Sequence, residues 1–177
     1  MKLAFAKFLL LCSGILFLAG VYLIWERTNP YHASAFTGQS PQRISGQPES
    51  LTIPSVNISL PIYPAKITGN RWEQTTKGIS FLSTSALPGN AGNSILYGHN
   101  WPNLLGPLHK VKPGQKVYVR YGTITHSFTI HYVGVVNGDD VSVIAPTSDV
   151  RLTLYTCTGF LDQKRLVVTA LRDDTLF

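Results

Sequence analysis

Cysteine is scarce in this chain: Cys12 and Cys157 are the only two. Cys12 falls inside an apolar stretch, so the two do not pair, and the remainder of the protein carries one thiol, at Cys157. A lone thiol outside a disulfide framework is worth reading as a reactive group. Acidic residues are also few, 9 against 15 Lys and Arg, for a net charge of +6. The basic excess is scattered. Runs of Lys or Arg interleaved with aromatics are missing, which argues against a nucleic-acid partner. The surplus charge suits a mild attraction to an anionic cell surface. Internal repeats are absent, and 177 residues allow one compact domain with extras but not two full domains.

What is present falls into three parts. Lys2 and Lys7 precede 18 uncharged residues, Phe8 to Trp25. As a helix these span roughly 27 Å at about 1.5 Å per residue, close to a hydrocarbon core of about 30 Å. The apolar run continues past Ala19-Gly20 through Val21, Leu23 and Ile24, so it reads as an uncleaved transmembrane anchor rather than a signal peptide. Tyr22 and Trp25 suit the interfacial belt, and the lysines place the N-terminus in the cytoplasm. Residues 1–25 are thus expected to be a cytoplasmic tip and anchor. Residues 26–50 hold Pro30, Gly38, Pro41, Gly46 and Pro48 among polar residues and read as a flexible linker. Residues 51–174 read as the folded domain, outside the membrane.

That domain alternates short strand patterns with turns, which argues for an all-β barrel or sandwich. Pro54, Pro61 and Pro64 punctuate the opening strands and point to edges and bends. Asn93–Tyr97, Lys116–Tyr121, Thr123–Val136, Val141–Ile144, Arg151–Thr156 and Leu166–Leu171 read as strands. Asn137-Gly138 reads as a hairpin turn, and Trp72–Ser85 leaves room for a short helix.

The organising stretch is Arg151 to Leu171. Leu152 and Leu154 alternate with Thr153 and Tyr155, the period of a half-buried strand. Cys157 has the opposite parity to the leucines, so it faces away from the core if they face inward. Seven residues separate it from Arg165, at the start of the next β-branched run. In an antiparallel pair, facing residues lie only about 4.5–5.5 Å apart at Cα. Arg165 would then supply the electropositive setting of a reactive thiol. Taken alone, a cysteine is more often small buried packing and an arginine a surface charge. Among the histidines, His32 lies in the linker, His109 in a loop, and His126 and His131 inside a strand, where packing or solvation explains them. His99 differs: it ends a strand, beside Gly98, in a loop carried on a scaffold. Asp139 and Asp140 follow Asn137-Gly138. A calcium site needs about 6–8 oxygen ligands, and a solvated turn explains this pair better, so no metal or cofactor is expected.

These residues resemble the sortases. The resemblance runs through Ile53-Pro54…Pro61-Ile62, Gly92-Asn93-Ser94…Gly98-His99, Thr153-Leu154-Tyr155-Thr156-Cys157 and Arg165-Leu166-Val167-Val168. It implies a closed eight-stranded β-barrel with short helical connections, preceded by the anchor, and a cysteine transpeptidase with His99, Cys157 and Arg165 as catalytic residues. Ser94 and Asn100 stand at variable neighbours of the motif. The short link between Cys157 and Arg165 resembles the compact classes, D or E. The resemblance further implies a surface-protein substrate with a Leu-Pro-x-Thr-Gly-like sorting signal. The amine acceptor would come from a cell-wall precursor or a pilin lysine, and the enzyme would be a single-pass cell-membrane protein.

Two rivals remain. Papain-like peptidases place Cys before His in the chain, the reverse of the order here, and the Ser-His-Gly-Cys arrangement of L,D-transpeptidases is absent. A membrane-tethered, non-catalytic β-barrel binding module would instead have a buried or dispensable Cys157.

Overall fold

The computed structural model describes residues 13–22, 46–68 and 71–173. Residues 13–22 are helical, and their apolar side chains, Leu16 and Phe17 among them, are exposed. Among the described residues no helix is long and apolar enough to cross a membrane. Much of the expected Phe8–Trp25 span, Cys12 included, and the expected linker up to residue 45 lie outside the described residues.

The second unit is a closed barrel. Its strands, in chain order, are β1 (Ser50–Ile53), β2 (Ile58–Ala65), β5 (Ile79–Leu82), β6 (Gly92–Gly98), β7 (Lys116–Tyr121), β8 (Ile124–Asn137), β9 (Val150–Thr158) and β10 (Lys164–Arg172). Two further strands, β3 (Ile67–Thr68) and β4 (Arg71–Trp72), pair with each other outside the barrel. Around the barrel the order is β1-β2-β5-β6-β9-β10-β8-β7. The pairs β2–β5 and β6–β9 are parallel, and the other barrel pairs are antiparallel. Closure leaves no exposed sheet edge in the barrel. Short 3-10 turns at Pro54–Val56, Gly106–Lys110, Ser142–Ile144 and Phe160–Asp162 are the helical connections.

The expected all-β barrel of eight strands is what the chain forms. Inward-facing side chains fill it: Leu51, Ile53, Leu96, Phe128, Leu152, Leu154 and Val168 are fully buried. The prolines of β2 sit where the expected bends fall, for a specific reason. Residues 58–61 of β2 pair with β1, and residues 62–65 pair with β5. Each half needs ladder bonds on one side only, so a missing N–H is tolerated there.

Three local readings are corrected. Asn137-Gly138 is not a hairpin turn: β8 pairs with β7 and β10, not with β9, and the Gly138 N–H donates to the Gln163 carbonyl at 3.0 Å. Val141–Ile144 is not a strand. The Asp140 carboxylate accepts from both the N–H and the O–H of Ser142, at 3.0 and 2.6 Å, and starts a 3-10 turn that overrides the β-branched preference. Those bonds also hold the Asp140 carboxyl below its ordinary range, which gives this acid a local structural task. Trp72–Ser85 holds no helix; it contributes the end of β4 and the whole of β5, whose four residues are all buried.

β6 is buried along both faces from Asn93 to Gly98. Its inner residues join the barrel core. Outside the barrel, Ile95 and Tyr97 join Ala65 and Leu82 in a smaller cluster, against which Trp72, Ile144 and Tyr155 pack. Leu154 lies between the two neighbours of β9, opposite Leu96 and Val168. Leu154→Ala is expected to lower unfolding free energy by about 2–5 kcal/mol, read from the denaturant midpoint at constant slope.

Candidate functional site

β9 runs between β6 and β10, and its registers set the site. Gly98 of β6 pairs with Thr156, and Arg165 of β10 pairs with Cys157. His99, the residue after Gly98, therefore enters the same row as Cys157 and Arg165. All three sequence-singled residues end adjacent strands at one end of the barrel, and each is half-buried. Leu152 and Leu154 face the core with no exposure, so Cys157 faces the outside as their parity required.

Each side chain is held by its own surroundings. The Thr156 hydroxyl donates to the Gly98 carbonyl at 2.8 Å, which locks the end of β6 to β9 beside His99. After His99 the chain turns back on itself. The Leu105 N–H donates to the His99 carbonyl at 3.2 Å, and the N–H groups of Leu104 and Gly106 donate to the Trp101 carbonyl at 2.9 and 2.8 Å. A Cβ at Gly106 would stand 2.5 Å from the Trp101 carbonyl oxygen, so glycine is what lets the turn close. Leu104, Leu105 and Leu108 anchor this loop in the interior. The Trp101 indole then stacks on the His99 imidazole, 4.2 Å between centroids and 7° from parallel.

Arg165 is gripped through one nitrogen. Its Nη1 donates to the Asp162 carbonyl and, at 2.9 Å, to the Lys164 carbonyl. The guanidinium has five donors in a planar fork, so this grip does not use them all. Its central carbon lies 5.9 Å from the centre of the Tyr155 ring, and Tyr155 in turn stacks against Trp72 at 5.8 Å. Gly138 makes room: a Cβ there would meet the Gln163 carbonyl at 2.9 Å and Arg165 Nη1 at 3.4 Å. In the link from β9 to β10, Leu161 and Asp162 both have left-handed backbones, φ 51° and 59°, an uncommon state for two consecutive non-glycine residues. Phe160 and Leu161 project into solvent.

Two electrostatic effects meet at His99. Burial lowers its pKa below the ordinary 6.5, and the nearby Asp162 carboxylate partly offsets that. Tyr155 titrates above its ordinary range because it is buried, an effect that Arg165 opposes. The arrangement joins a thiol, an imidazole and a guanidinium on one row at the outer face of a rigid sheet. Chemically, such groups are able to serve as a nucleophile, a proton carrier and an oxyanion donor.

The other histidines fall elsewhere. His109 is exposed, and its Nδ1 lies 2.6 Å from the Gly106 carbonyl. His126 meets the Tyr121 ring edge-on at 5.5 Å. His131 is exposed where β8 bulges past β10. His32 is outside the described residues. Ser94 is buried in the barrel, Asn100 is exposed, and neither is held by the site. Among the described residues no group of three or more His, Cys, Asp or Glu could hold a metal ion. Sequence reasoning missed Trp101, Trp72, Tyr155 and Asp162. For Tyr155 a signal existed, since it shares the parity of Cys157 two residues on.

The fold and this row define a class, a closed β-barrel with a Cys, His and Arg site on its outer face. The sequence model of the Sortase domain matches residues 51–173, and the chain belongs to the sortase family. Sortase A of Listeria monocytogenes is 32% identical over 111 residues, covering 61% of this chain and 48% of that protein. Sortase A of Streptococcus agalactiae is 31% identical over 133 residues, covering 71% and 52%. The chain thus spans about half the length of these curated relatives. Among solved structures, sortase A of L. monocytogenes superposes with a TM-score of 0.61 at 30% identity, covering 71% of this chain and 86% of that one. A lid mutant of sortase A from Corynebacterium diphtheriae gives 0.65 at 28%, covering 75% and 73%.

The lowered pKa of His99 has a definite sign. Between that value and 6.5 the unfolded chain binds more protons than the folded one, so stability falls as pH drops through this window. Proton NMR titration should place the His99 imidazole below 6.5, and Asp162→Asn should move it lower still. His99→Gln should reduce the slope of the stability profile in this window, leaving the part due to His126, whose pKa is also lowered. An upward shift in Asp162→Asn would contradict the assigned charge effect.

Proposed function

We propose that this protein is a cysteine transpeptidase. It cleaves a C-terminal Leu-Pro-x-Thr-Gly-like sorting signal between Thr and Gly and passes the protein to an amine on the cell envelope or a pilin. The observation that carries the reading is the register of β6, β9 and β10, which sets His99, Cys157 and Arg165 in one row. Family membership supports the same chemistry. In this scheme the Cys157 thiolate attacks the threonine carbonyl carbon. The C–N bond breaks, and His99 gives its proton to the departing glycine amine. The thioacyl intermediate is then attacked by an acceptor amine, whose proton His99 takes back as the Cys157 sulfur leaves. Arg165 donates to the carbonyl oxygen as charge develops there. Water in place of the amine gives slow hydrolysis.

The proposed setting is single-pass attachment to the cell membrane through residues 1–25, a linker over 26–50, and a catalytic domain over 51–174 outside the cytoplasm. The proposed donors are surface proteins bearing the sorting signal. The proposed acceptors are a cell-wall precursor or a pilin lysine.

The test uses the full-length protein in detergent with a sorting-signal peptide and an amine acceptor, followed by mass spectrometry. Cys157→Ala should show neither thioacyl adduct nor product while remaining folded. His99→Ala should nearly abolish turnover. Arg165→Ala should lose about 10²–10³ in rate, the usual cost of one oxyanion donor, and Arg165→Lys should recover only part of it. Transfer by a folded Cys157→Ala protein would refute the scheme.

A further inference from the structure

The signature Thr153-Leu154-Tyr155-Thr156-Cys157 carries a residue that the chemistry above does not use. Thr153 is fully buried although it points out of the barrel, because the segment between β8 and β9 lies over it. Its hydroxyl donates to Asn93 Oδ1 at 2.7 Å. Asn93 is 4% exposed. Its amide nitrogen donates to the Val143 carbonyl at 3.2 Å and to the Ala145 carbonyl at 3.1 Å. Two carbonyls can only accept, so the amide nitrogen must face them and the oxygen must face Thr153. The amide therefore has one orientation, and both of its N–H bonds reach another element.

That element, residues 143–145 between β8 and β9, walls a cavity of about 330 Å³. Val143, Ala145 and Ser142 form one side of it, and Val167, Thr169 and Leu171 of β10 form the floor. These three floor positions share the outward parity of Arg165. At about 3.3 Å per residue they lie about 7, 13 and 20 Å from it along β10. An extended peptide with its reacting carbonyl at Cys157 advances by the same rise. Side chains roughly two to six residues from the reacting bond therefore reach this channel.

We propose that Asn93, oriented by Thr153, is a positioning residue for donor recognition. It holds the 143–145 backbone at the height that gives the channel its width, and the channel receives the extended donor peptide away from the reacting bond. The inference rests on the transpeptidase reading for the identity of the donor, and its tether is testable without that reading. Asn93 lies at the inner wall of the channel, five residues before the end of β6, and it acts through the loop it holds. Loss of the tether weakens binding that the ground state and transition state share, which raises KM and leaves kcat largely in place.

The test compares the full-length protein with Asn93→Asp and Thr153→Val. Asn93→Asp keeps the shape, removes both donors and sets a carboxylate against two carbonyls. Thr153→Val keeps the shape and removes the hydroxyl that orients the amide. The first measurement is amide hydrogen exchange. Exchange at Ser142–Ala145 should speed up at least tenfold in Asn93→Asp, and less in Thr153→Val, with β10 amides unchanged. Unchanged loop exchange would overturn the tether. The second measurement is steady-state cleavage of a ten-residue sorting-signal peptide and of a peptide cut to two residues on either side of the reacting bond. For the long peptide KM should rise about tenfold in Asn93→Asp with kcat within about twofold. For the short peptide KM should match the unsubstituted protein. A fall in kcat at constant KM, or an equal KM rise for both peptides, would overturn the recognition role. If the unsubstituted protein cleaves neither peptide, the transpeptidase reading fails and recognition of such a donor falls with it, while the exchange result still decides the tether.

Discussion

The ladder between β9 and its two neighbours is the constraint on which the rest depends. Side chains alternate across a strand, so a slip of one residue moves a whole set to the other face. In β9 such a slip would turn Cys157 into the barrel and push Leu152 and Leu154 out of it. Burial of Leu154 between Leu96 and Val168, and of Leu152 between Ser94 and Ala170, opposes the slip on both sides at once. Fully burying one such side chain is worth about 1.5–3 kcal/mol, so a slip that exposes several is heavily disfavoured. The same ladder carries Arg165 into register with Cys157 and brings His99 to the adjoining position just past the end of β6. The thiol thus takes its place from packed sheet, and the loops only finish what the sheet begins.

That division explains which features were legible in the sequence. Cys157 and Arg165 belong to consecutive antiparallel strands, so parity and a short link were enough to pair them. His99 reaches the same row through a parallel pairing between strands far apart in the chain. No local pattern announces such a pairing, and the histidine stood out through its strand-end position and the family resemblance. Features governed by a single side chain were the ones misread. Asn137-Gly138 has the composition of a hairpin turn, yet closing the barrel sends β8 to pair with β10, and the glycine serves for a close approach beneath Arg165. Val141–Ile144 is β-branched, yet one carboxylate at Asp140 turns the backbone into a 3-10 helix. Trp72 has no periodic neighbours, and what fixes it is contact with Tyr97 and Tyr155, at 4.8 and 5.8 Å, across the outside of the barrel.

The outer face has its own internal order. Near the thiol it is aromatic, with Trp72 on Tyr155 and Tyr155 beneath the Arg165 guanidinium. Cation–π attraction there is worth about 0.5–1 kcal/mol at exposed sites and more when desolvated. That energy and the two carbonyl bonds to Nη1 restrict the guanidinium before any ligand arrives. Further along, polar groups take over, with Asn93 and Thr153 buried under the 142–145 segment. Each polar atom of that amide has a partner, so burial costs little there. Removing one partner leaves the others orphaned, which costs about 1–3 kcal/mol per group. The face is therefore rigid at both ends by different means, stacking at one and a closed hydrogen-bond set at the other.

His99 shows why such rigidity matters for the proposed chemistry. The group must hold a proton long enough to deliver it, and must also be a strong enough acid to give it up. Burial beside Trp101 lowers its pKa, which strengthens the acid and reduces the protonated fraction at neutral pH. The Asp162 carboxylate pulls the other way and restores part of that fraction. Asp162 does so from a left-handed backbone position in the same short link whose carbonyl grips Arg165. One residue is thereby tied to both His99 and Arg165. Any motion of the link that releases the arginine also moves the carboxylate relative to the histidine. In the proposed chemistry, proton balance and oxyanion binding are therefore coupled through five residues between β9 and β10, 159–163.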